Sequence, residues 1–139
     1  MTRKTPKKKE RPGVDRMGRT ELHYAALNAD LSKVHALLLA GADPNASDDN
    51  GFTPLHFSTQ SNSLSVSDAL LEAGAKVDLA DANGNTPLSK AVFNSNGGGE
   101  LIKLLLGAGA DRNMENNYGV SPLGLAKSID NYDLVQFFS

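Results

Sequence analysis

The chain of 139 residues contains no cysteine. Neither a disulfide framework nor a thiolate metal site can therefore form. No apolar run approaches bilayer length, since the longest, around residues 34–40, is broken by His35; no membrane partner is expected. The N-terminus is basic but lacks the apolar stretch of a secretory signal. A reducing compartment suits a chain without cysteine, and the expected location is cytoplasmic, or nuclear for a eukaryotic source. Catalytic signatures are missing too. No Glu completes a His-Glu-x-x-His zinc pattern, and the glycine-rich stretch at 94–99 lacks the Gly-Lys-Ser/Thr ending of a phosphate loop. No Gly-x-Ser-x-Gly elbow is present. No enzyme activity, metal or cofactor is expected.

What is present is ordinary for a globular chain, with 40% hydrophobic and 22% charged residues. The net charge of -2 conceals a division. Residues 1–13 hold Arg3, Lys4, Lys7, Lys8, Lys9 and Arg11 against Glu10 alone, while the remainder holds eight basic and fifteen acidic residues. A basic arm precedes an acidic body. The arm, with Pro6 and Pro12 in a charge run, has no core to bury and is expected to be disordered. Three roles stay open for it: a solvated tail, a weak salt-sensitive contact with nucleic acid, or a nuclear address.

The body repeats itself. Gly18-Arg-Thr-Glu-Leu-His23, Gly51-Phe-Thr-Pro-Leu-His56, Gly84-Asn-Thr-Pro-Leu-Ser89 and Gly119-Val-Ser-Pro-Leu-Gly124 align, with spacings of 33, 33 and 35 residues. A second phrase keeps the same step: Leu39-Ala-Gly-Ala-Asp43, Glu72-Ala-Gly-Ala-Lys76 and Gly107-Ala-Gly-Ala-Asp111. The first Gly of each phrase suits a turn. Thr53 and Thr86 read as helix N-caps, with Pro54 and Pro87 at the first helical position, where a missing N–H costs nothing. A short helix follows, such as residues 54–60. A second carries Val34, Leu37 and Leu38 at helical spacing and ends at Ala-Gly-Ala, where glycine terminates helices. One such helix pair cannot bury its own apolar face, so units must stack.

In period and in both phrases the chain resembles the ankyrin-repeat family over about residues 14–138. The resemblance implies an all-α solenoid of about four helix-turn-helix repeats with β-turn or hairpin tips. The expected domain is 14–139, with repeats at about 14–46, 47–79, 80–114 and 115–139. Departures from the pattern are visible. Glu21 stands where proline is usual. Residues 94–99 carry two extra residues and are expected to form a mobile insertion. The serine-rich turn at 61–67 lacks the usual glycine, so an irregular end to its first helix is expected. Repeat 4 has room only for a short second helix, with Phe137 and Phe138 as an aromatic cap. The resemblance also gives His23 and His56, at one repeat position, a structural duty between loops. His35, on the outer helix, is expected to be a solvated or packing residue.

The same resemblance implies another protein as partner, held on a concave face of loop tips and first helices. By position, the contact residues are Arg16, Met17 and Arg19; Leu27 and Asn28; Asp49, Asn50 and Phe52; Gln60 and Ser61; Asn83 and Asn85; Phe93 and Asn94; Tyr118; and Ile129. Phe52, Phe93 and Tyr118 are not required by the repeat. They are either interface anchors or packing between repeats. Asp48, Asp49 and Asp81 give the tips an acidic character that suits a basic partner. The chain resembles small stand-alone bacterial ankyrin immunity proteins, which implies an inhibitor of a basic toxin or enzyme domain. A eukaryotic-type adaptor or regulator with a nuclear-targeting arm, and a nucleic-acid-associated factor, are the alternatives.

Overall fold

Each repeat first holds the chain extended and then releases it into a helix. The computed structural model describes residues 12–129 and 133–138. Seven α-helices follow one another among them: α1 (Glu21–Leu27), α2 (Leu31–Leu39), α3 (Pro54–Gln60), α4 (Leu64–Glu72), α5 (Pro87–Phe93), α6 (Glu100–Gly107) and α7 (Pro122–Ser128). A 3-10 turn, Leu134–Phe138, closes the described chain. Thr20, Thr53, Thr86 and Ser121 all hold extended backbone immediately before the odd-numbered helices. Proline at the first position of α3, α5 and α7 supplies a helical φ and forfeits no hydrogen bond.

The even-numbered helices end by the device expected of them. Gly41, Gly74 and Gly109 take φ of 95°, 97° and 96°. The next residue then donates back across the helix end: Ala42 N–H to the Leu37 carbonyl (3.0 Å), Ala75 to Leu70 (2.9 Å) and Ala110 to Leu105 (3.0 Å). The serine-rich turn corrects one expectation. α3 has the same seven residues as α1 and α5, with no irregular end. Asn62 supplies the left-handed residue at φ 54°, Ser63 caps α4, and Ser58 Oγ meets Ser67 Oγ at 2.7 Å. Asparagine and serine here do what a glycine turn would do.

The odd helices pack in series as an inner layer, α1 on α3 on α5 on α7, and the even helices pack likewise as an outer layer. Leu22, Leu55 and Leu88, second in each inner helix, are fully buried between repeats with Val34, Val66, Leu70, Ile102 and Leu105. Leu123 holds the same place in α7 but is only half-buried. The 3-10 turn stands where the second helix of repeat 4 would be, burying Leu134 and Phe138. Phe137 lies against Gly99, and the carbonyl of Phe138 accepts from Arg112 Nη1. The glycine stretch at 97–99 is therefore not simply an insertion: Gly99 is buried and receives the terminal aromatic ring. No helix among the described residues is long and apolar enough to cross a membrane.

Candidate functional site

The loop tips are built on one acidic or amide side chain per repeat. Asp15 Oδ1 accepts from the N–H groups of Met17 and Arg19. Asp48 Oδ1 does the same for Asn50 and Phe52, Asp81 Oδ1 for Asn83 and Asn85, and Asn116 Oδ1 for Tyr118 and Val120. Each sits three residues before a tip glycine, the position from which a short side chain closes a turn on its own backbone. Successive tips are joined by one backbone bond each, all of 2.9 Å: Asp49 N–H to the Met17 carbonyl, Ala82 to Asn50, and Asn117 to Asn83. Gly51 is needed there twice over, for its φ of 80° and because a β-carbon would press within 3.0 Å of the Asp81 and Ala82 backbone.

This arrangement corrects the acidic-face expectation. Asp48 and Asp81 are buried, with their carboxylates turned into the tips. Asp48 also pairs with Arg19 Nε at 3.1 Å. In the next repeat Phe52 stands where Arg19 stood, and Asp81 Oδ2 is left buried without a hydrogen-bond partner. Further along, Asn85 Oδ1 accepts from Asn116 Nδ2 at 2.9 Å. Asp49, in contrast, is exposed.

A second set of bridges runs beneath the tips. His23 Nδ1 lies 2.9 Å from both the N–H and the Oγ1 of Thr20, and its Nε2 lies 2.8 Å from the Phe52 carbonyl of the next repeat. His56 repeats this with Thr53 (3.1 and 2.9 Å) and the Asn85 carbonyl (2.9 Å). A carbonyl only accepts, so Nε2 carries the proton and Nδ1 receives from the backbone. Burial holds both imidazoles below the usual histidine pKa. The histidines thus staple one repeat to the next. In α5 the same position is Ser89, which is too short to make the bridge. Thr86 keeps its cap backbone but not the expected cap bond, and its Oγ1 is buried without a partner.

The third staple's absence coincides with an opening. Between repeats 2 and 4 the inner face holds a groove of about 560 Å³ with Ser89 and Asn85 among its lining residues. Its aromatic rims are Phe93, 73% exposed, and Tyr118, 77% exposed. Val120 and Leu125 add apolar wall, Gln60, Asn94 and Asn116 add amides, and Lys90 is the single charged residue lining it. Lys90 Nζ rides over the Phe52 ring at 4.7 Å from its centroid. Phe52 itself is half-buried, 5.6 Å from Phe57 and 5.8 Å from His56 between centroids. It packs within its own repeat and under Lys90 of the next, and is not a free anchor.

Of the residues expected from repeat position, the groove brings together Gln60, Asn85, Phe93, Asn94 and Tyr118. Others are engaged inside the fold. Arg19 pairs with Asp48 and stacks over Phe57. Ser61 Oγ donates to the Leu27 carbonyl, and Leu27 and Ile129 pack against the core. Arg16, Met17, Asn28, Asp49, Asn50 and Asn83 are exposed but lie outside the groove. Ser89, Lys90, Asn116 and Leu125 were not expected. Their signal lies in comparing one helix position across repeats: the third residue runs His, His, Ser, Gly and the fourth Tyr, Phe, Lys, Leu. The basic arm and its three readings fall almost wholly on residues 1–11, outside the described residues.

The sequence pattern of the family described as ankyrin repeats in three copies matches residues 22–97, and that of a single ankyrin repeat matches 83–117. No curated protein matches the chain.

Proposed function

Because this chain belongs to the ankyrin-repeat family, whose repeats serve as protein-binding modules, we propose that it binds its partner through the groove at repeats 2 to 4. The observation that carries this reading is the exposure of Phe93 and Tyr118 on either side of one opening. Large aromatics held in water, Phe93 on the inner layer and Tyr118 at a tip, when the same fold buries Phe57, are the kind of group that supplies binding energy once covered. The surrounding amides offer both donors and acceptors to a partner backbone.

Neutralising a toxin or an enzyme is a finer form of the same reading. Its support from tip charge is reduced, since Asp48 and Asp81 serve the turns, and the groove carries the proposal in their place. Side-by-side affinity capture with the wild-type chain and a Phe93→Ala, Tyr118→Ala double variant tests it, with thermal unfolding as the folding control. The wild type should retain a stoichiometric protein partner that the variant loses at unchanged Tm. Equal retention by both would move binding off this face, and an inert wild type would remove the reading.

A further inference from the structure

We propose that the groove selects a partner segment in which an acidic residue neighbours a large apolar one, the carboxylate meeting Lys90 and the apolar side chain entering between Phe93 and Tyr118. This rests on the protein-binding reading above and adds the chemistry of the occupant. Charge decides the sign. Lys90 is the one charged residue among those that line the groove, and no carboxylate among the described residues pairs with it. Among the described residues its ammonium lies against the face of Phe52 and donates no hydrogen bond to the protein. The nearest acidic tip residue of that repeat, Asp81, is buried and committed to its turn. A basic segment would meet Lys90 without a counter-charge, so the groove and the acidic body as a whole favour opposite partners, and the groove is where contact is close.

The apolar half follows from the missing imidazole. Ser89 removes the ring that fills this level in the two preceding repeats, leaving depth for a side chain between the aromatic rims. Nucleic acid would also offer an anion beside an aromatic base. Its affinity, however, is built from many phosphate contacts, and the groove has one cation.

The test uses the full chain and a library of random twelve-residue peptides. Enriched sequences should place Asp or Glu beside Phe, Leu, Met or Trp. The best peptide, labelled and followed by fluorescence anisotropy, should bind about tenfold or more weakly to Lys90→Gln. It should keep its affinity for Lys90→Arg and lose most of it with Phe93→Ala. Circular dichroism and Tm confirm that each variant is folded. Enrichment of Lys or Arg, or equal affinity for Lys90→Gln, would overturn the acidic assignment while leaving the groove in place. Binding indifferent to both Phe93 and Tyr118 would overturn the groove itself, as would a library with no enrichment. A single-stranded oligonucleotide that outcompetes the best peptide and depends on Lys90 would replace the peptide occupant.

Discussion

His23 and His56 commit both ring nitrogens to backbone groups, one in their own repeat and one in the next. Protonating Nδ1 would set two donors face to face. Burial already holds both pKa values below the usual value of about 6.5. The unfolded chain therefore takes up protons first as pH falls. The stability these bridges give is present above about 6.5 and is lost as pH drops through the lower folded-state values. Tm measured from pH 7.5 to 5 should fall on the acid side, and a His23→Gln, His56→Gln variant should be less stable at pH 7.5 with a flatter profile. Ser89→His is the reverse arm. An imidazole there has Thr86 Oγ1 for one nitrogen and the next tip for the other, and should raise Tm by the equivalent of ~1 kcal/mol at neutral pH while steepening the acid fall. The histidine duty was legible in the sequence because both residues occupy one repeat position. Thr86 was not, because a cap residue without its cap bond looks in sequence like every other Thr-Pro pair.

At the scale of elements, the C-terminal turn depends on a glycine far from it in the chain. A β-carbon at Gly99 would run into the Phe137 ring. Gly107, at the end of α6, has nothing within 4 Å of that position. Gly99→Val should therefore dislodge the 3-10 turn, lower Tm and open the C-terminus to limited proteolysis. Gly107→Ala should be neutral or stabilising by up to ~1 kcal/mol. Similar loss from both substitutions would contradict the docking of Phe137. Helix starts and ends were legible because Thr-Pro and Ala-Gly-Ala act locally. The glycine stretch read as an insertion because its reason is a contact with residue 137, which no local pattern carries. Phe52 and Phe93 looked alike for a related reason: one folds back on Phe57 and His56 of its own repeat and lies under Lys90 of the next, while the other stays exposed.

For the molecule as a whole, every repeat leans only on its neighbours, so stability is set by the joints between them. Leu55→Ala or Leu88→Ala removes a fully buried side chain from such a joint and should cost ~2–5 kcal/mol. Leu123→Ala, at the same position but half-buried, should cost visibly less. Denaturant unfolding of the three variants checks the order, and equal costs would contradict the stacking register. The number and order of repeats were legible from the period alone. The groove was not, since it is formed by residues from three repeats that become neighbours only once stacked.

The omitted histidine also has a mechanical side. Two joints are riveted by an imidazole and the third is not. The third is held at the tips instead, by Asn116 Nδ2 donating to Asn85 Oδ1 and Asn117 Nδ2 to the Ala82 carbonyl. The rims of the groove, Phe93 on one side of that joint and Tyr118 on the other, stand over the level an imidazole would have spanned, so the missing rivet and the opening arise from the same residue, Ser89.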